Sequence, residues 1–96
     1  MKNLLNITIT VNLDEYDEKL REYCEKNQYD VPDYNTLLSR IEDDLLRLDG
    51  LNNIMFGHHA WVEFDLGTDD FEEAKVESEV VLNEIREVFA KHGILG

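Results

Sequence analysis

The side chains best suited to chemistry crowd into one short stretch, His58-His59-Ala60-Trp61-Val62-Glu63-Phe64-Asp65. Imidazole nitrogens and carboxylate oxygens are the donors that hold zinc, manganese or magnesium. Read as a strand, the stretch turns His59, Trp61, Glu63 and Asp65 to one face and Ala60, Val62, Phe64 and Leu66 to the other. Residues two apart on a strand are separated by about 6.6 Å, so Glu63 and Asp65 could reach one ion while His59 stands too far from Asp65. The competing reading is a histidine turn beside a solvated strand face, and no metal or other cofactor is assigned.

Other catalytic patterns are missing. The glycines at 50, 57, 67, 93 and 96 are scattered and form no phosphate loop. Cys24, the single cysteine, falls on the inward side of an acidic helix, where negative neighbours raise a thiol pKa instead of activating it. Carboxylate pairs carry no information in a chain with 22 acids among 96 residues. The basic residues needed opposite an acid are accounted for by acid-first pairs at a spacing of four: Glu15 with Lys19, Asp17 with Arg21, Glu22 with Lys26, Asp43 with Arg47 and Glu87 with Lys91. The expectation is a protein that is not an enzyme.

Charge then becomes the leading feature. Nine Lys and Arg against 22 Asp and Glu give a formal charge of −13. Affinity for nucleic acid backbones or anionic membranes rests on cations, so neither is an expected partner, and a basic protein is. A hydrophobic content of 43% is too high for a disordered acidic tail. The length suits one domain, 1–96. The opening residues lack an unbroken apolar run, so a cytoplasmic location is expected.

The elements that must position these residues follow from periodicity. Leu5, Ile7, Ile9, Val11 and Leu13 alternate with polar residues, as in a strand wet on one face. From Asp14 to about Asn27 a helical period places Tyr16, Leu20, Tyr23, Cys24 and Asn27 inward. Tyr29 to Asp33, containing the only proline, is read as a break before a helix from Tyr34 to Leu48, which Asp49-Gly50 stops. Strands at about Leu51–Phe56 and Ala60–Leu66 form a hairpin. Thr68 is the expected cap of a last helix running to about His92, with Phe71, Ala74, Ser78, Val81, Leu82, Ile85, Val88 and Phe89 inward.

This order, β-α-α-β-β-α, predicts an α+β domain: a three-stranded, mainly antiparallel sheet, third strand central, helices on one face. It resembles a ferredoxin-like fold whose fourth strand is missing or reduced to the Ile94-Leu95-Gly96 tail. Such a resemblance implies no function, because that architecture hosts many.

The surplus acid can be placed on helical faces. Glu72, Glu73, Glu77, Glu79, Glu84 and Glu87 lie on the half of the last helix away from the core, with Val76 and Val80 among them. Between Asp69 and Glu87 eight acids and two bases leave −6 along about 27 Å, one net charge per roughly 4.5 Å, near the 3.4 Å phosphate spacing of a single DNA strand. Asp14, Glu15, Glu18 and Glu22 supply a second acidic face on the first helix. Two valines among the glutamates suggest a contact patch with an apolar centre and acidic rim; scattered surface valines are the ordinary alternative. Trp61 and Glu63 on the open sheet face offer another contact, for a partner or for a homodimer.

These features predict an inhibitor that occupies the basic groove of a nucleic-acid-binding protein or nuclease as a nucleic-acid mimic. In size and charge the chain is similar to phage anti-CRISPR and antirestriction proteins and to immunity proteins of bacterial nuclease toxins. The alternatives are a self-associating adaptor or structural module using the Trp61 face, and a small metal-dependent enzyme built on His59, Glu63 and Asp65.

Overall fold

The computed structural model describes residues 7–94, so Leu5 and Asn6 of the expected first strand, and Leu95 and Gly96 of the tail, lie outside the described residues. The order is β1 (Thr8–Asn12), α1 (Asp14–Lys26), α2 (Val31–Leu46), β2 (Leu51–Met55), β3 (Trp61–Asp65) and α3 (Phe71–Lys91). Strand order is β1-β3-β2 with both pairings antiparallel. The central third strand is as the sequence leads one to expect. Only three strands are present among the described residues, and the ferredoxin-like resemblance is not confirmed.

Alternation in the strands decides which face receives the helices. Val62 and Phe64 are 0% and 1% exposed, and they pack with Val11 of β1 against Leu20 of α1, Ile41 and Leu45 of α2, and Ile85 and Phe89 of α3. All three helices therefore cover one side. Burying each of these large side chains is worth about 1.5–3 kcal/mol. The other side carries Thr8, Thr10 and Asn12 of β1 beside Asp65, Glu63 and Trp61.

Local chemistry sets the helix ends. β1 becomes α1 within one residue, because Asn12 Oδ1 accepts the Asp14 N–H at 2.7 Å while Leu13 is fully buried between them. The expected break at Tyr29–Asp33 is instead mostly helix. Asp30 is the N-cap: Oδ1 accepts from Asp33 N–H at 3.1 Å, and Asp33 Oδ2 accepts from Asp30 N–H at 3.3 Å. Pro32 sits in that first turn, where its missing N–H costs nothing. The last helix is capped by Asp70, not Thr68, and Phe71 is 77% exposed instead of inward. Asn27, too, is exposed. At the far end Ile94 N–H reaches Phe89 O and Gly93 N–H reaches Ala90 O, a Schellman closure that buries Ile94 to 2% exposure.

Gly50 marks the turn into β2. Its φ of +88° is left-handed, its carbonyl accepts the Asp65 N–H at 2.8 Å, and a Cβ there would stand 2.8 Å from the Asp65 carbonyl oxygen. Backbone against backbone leaves no flexible group to yield. Gly50→Ala should destabilise the fold by more than about 1 kcal/mol, lowering the thermal midpoint by about 4–8 °C per kcal/mol. A midpoint equal to wild type in a calorimetric scan would contradict this account of the turn.

Candidate protein-binding site

The start of α3 is locked by three polar side chains, those of Thr68, Asp70 and Glu73. Thr68, 9% exposed, accepts the Asp70 N–H at 3.1 Å through Oγ1 and donates to Glu73 Oε2 at 2.8 Å, while Asp70 Oδ1 accepts the Glu72 N–H at 3.0 Å. The carboxylates of Asp70, Glu72 and Glu73 thus sit around the positive end of the helix dipole. Ala74, Ile85, Val88 and Phe89 face the core, which turns Val76 and Val80 out to solvent, 65% and 50% exposed.

A trough follows this outer face. Toward the helix centre a hollow of about 540 Å³ is lined by Asp49, Glu77, Val80, Val81 and Glu84, with Asp65 and the Gly50 and Gly67 turns along its wall. Toward the N-terminus a second hollow of about 440 Å³ is lined by Asp70, Glu72, Glu73, Val76 and Glu77. Glu77 belongs to both, and no lysine, arginine or histidine lines either. At about 100° per residue, Lys75 and Arg86 project from the opposite side of α3.

Asp44 of α2 pairs with the third base of α3, Lys91. Lys91 falls on the same helical stripe as Glu73 and Glu84, yet its Nζ lies 3.3 Å from Asp44 Oδ2. His92 Nε2 stands 2.7 Å from the same oxygen, and Arg47 is 3.6 Å from Oδ1. The hydrogen bond from His92, aided by Lys91, holds the Asp44 carboxyl below the ordinary carboxylate range against the opposing effect of desolvation. This cluster replaces two pairs expected from spacing, Asp43–Arg47 and Glu87–Lys91, whereas Glu15–Lys19 at 3.8 Å and Asp17–Arg21 at 3.3 Å form as expected. No ion pair joins Glu22 to Lys26.

Of the residues singled out in the sequence, Glu72, Glu73, Val76, Glu77, Val80 and Glu84 are brought together along the trough, and Glu87 is exposed beyond its end. Asp14, Glu15, Glu18 and Glu22 are exposed on α1 and line neither hollow. Trp61 and Glu63 are half-buried on the helix-free sheet face, Trp61 between Asn12 and Met55, Glu63 between Thr10 and Asn53. Asp49 and Asp65 also line the trough, though in sequence the first reads as a helix stop and the second as a strand residue; in the structure Asp65 Oδ1 accepts from Thr8 at 2.7 Å.

His58 and His59 lie side by side in the hairpin turn, ring centroids 4.1 Å apart and planes tilted by 60°, and among the described residues no group of three His, Cys, Asp or Glu is placed to hold a metal ion. Cys24 is buried, and burial followed by Asp33 pushes its thiol pKa up. Asp17 is 7% exposed; its Oδ2 faces Arg21, while Oδ1 has no hydrogen-bond partner. Among the described residues no helix is long and apolar enough to cross a membrane. Comparison with protein-family models, curated proteins and solved structures gives no match for this chain.

The lowered Asp44 carboxyl fixes the sign of a pH effect. Its contribution to stability is complete above the unfolded-chain value, about 3.9, and is lost as pH falls through the lower folded-state value. Asp44→Asn should therefore lower the thermal midpoint at neutral pH and flatten the fall in midpoint as pH drops below about 4. Parallel wild-type and variant curves over that range would rule the ion cluster out as a stabilising contact between α2 and α3.

Proposed function

We propose that this chain is an acidic protein-binding inhibitor that occupies the basic groove of a nucleic-acid-binding protein or nuclease, with the outer face of α3 as its contact surface. The observation that carries the reading is the trough itself: carboxylates of Asp49, Glu72, Glu73, Glu77 and Glu84 surround Val76 and Val80, with no base lining it. An apolar centre inside a charged rim is the common anatomy of a protein interface. A chain of net charge −13 steers toward cationic grooves and away from phosphate.

Immobilised protein should retain a basic nucleic-acid-binding protein from nuclease-treated host extract at about 50 mM salt and release it by about 500 mM. An oligonucleotide should compete, and Glu77→Lys with Glu84→Lys should abolish retention. Retention indifferent to salt, to oligonucleotide or to the charge reversal would overturn the reading.

The helix-free sheet face supports a second reading, self-association. Met55, 44% exposed, stands beside the half-buried Trp61 there. On this reading the wild type sediments as a dimer and Trp61→Ala as a monomer; a monomeric wild type removes it.

A further inference from the structure

We infer that the segment received by α3 is itself a helix: a basic amphipathic α-helix that lays an apolar residue on Val76 and Val80 and sets arginines against the flanking glutamates. The inference rests on the reading of the chain as a binder of basic proteins and names the shape of what it binds.

Three observations carry it. The first is spacing. Glu73, Glu77, Val80, Glu84 and Glu87 succeed one another at intervals of four, three, four and three, the alternation of a coiled-coil seam, which keeps one stripe of a helix against a partner helix along its length. Val76 stands next to Val80 on that stripe. From Glu73 to Glu87 the stripe runs about 21 Å, four turns of helix.

The second is that, among the described residues, the two valines of the stripe are left uncovered. Val76 and Val80 are 65% and 50% exposed, although the other large apolar side chains of α3 are buried or half-buried apart from Phe71 at its first turn. Val76 and Val80, one turn apart, offer two adjacent apolar contacts of the kind an amphipathic helix covers with its apolar face.

The third is charge complementarity. Glu73 and Glu77, like Glu84 and Glu87, are like-charged neighbours on the helix, each pair unfavourable without a cation between them. Glu77 and Glu84 line the same hollow with Val80 and Val81 at its floor, so an arginine stem can lie on the valines while its planar head meets carboxylates at either side. A second copy of this chain could not fill the place, because its own stripe would set glutamates against glutamates.

The test uses the full chain and two designed peptides of about three heptads. One presents two leucines at adjacent seam positions with arginines around them; the other has the same composition in an order without helical period. Fluorescence anisotropy at about 50 mM salt should show the amphipathic peptide binding at least about tenfold tighter than its scramble. Val76→Gln with Val80→Gln, both at exposed positions, should erase that difference with the helical circular dichroism unchanged. Equal binding of both peptides, abolished by Glu77→Lys with Glu84→Lys, would overturn helix docking and leave the acidic-binder reading standing. No binding of either peptide would overturn both.

Discussion

The single apolar face of the sheet is the constraint on which the rest depends. Val62 and Phe64 of the central strand are almost wholly buried, and three helices converge on them because the chain has no other large apolar surface to cover. A domain of 96 residues has only one such layer to offer. The consequence is geometric: each helix spends one stripe on the sheet and leaves the other in water, and the far side of the sheet is left without helical cover. What α3 presents outward is therefore set by which residues its inward stripe does not need.

Those residues are not neutral filler. A solvated face is most cheaply built from alternating lysine and glutamate, whose i, i+4 pairs stabilise a helix by a few tenths of a kcal/mol each. On α3 the trough acids are instead gathered beside one another, while Lys75 lies among Glu72 and Glu79 on the flank and Lys91 turns to Asp44. Asp44 ties the end of α2 to the end of α3 through Lys91 and His92. Local repulsion is accepted and compensation is placed elsewhere, an arrangement with no advantage for the isolated helix.

Much of the fold was legible because it rests on period. Alternation in β1 and β3 and the inward stripes of the helices come straight from the positions of Ile, Val, Leu and Phe. Errors fell where short-range polar chemistry competes. By sequence alone Pro32 reads as a breaker, though a first-turn proline behind an Asp30–Asp33 capping box starts a helix. Thr68 and Asp70 are both good caps, and the choice was made by Glu73, which engages the Thr68 hydroxyl and leaves Asp70 to cap the helix. The stripe of the candidate site was visible for the same reason as the core. Its far wall was not, because Asp49 and Asp65 join α3 only through the folding of the hairpin, and the Asp44 cluster unites residues 48 positions apart.

The two components of the trough do different physical work. Carboxylates exposed to water attract a cationic surface over roughly a Debye length, about 8–10 Å at moderate salt, and so act mainly on the rate of encounter. They discriminate weakly between one basic surface and another. Valine side chains exert no pull at a distance, but once covered they contribute up to about 1.5–3 kcal/mol each, a term that salt does not screen. It is gained only if the partner brings apolar atoms to the right place, and the cations around it must not be left unpaired when water is expelled. On the proposed reading, Val76 and Val80 at the centre of the acid turn a general attraction for positive charge into a requirement for a particular pattern: apolar in the middle and basic at the margins.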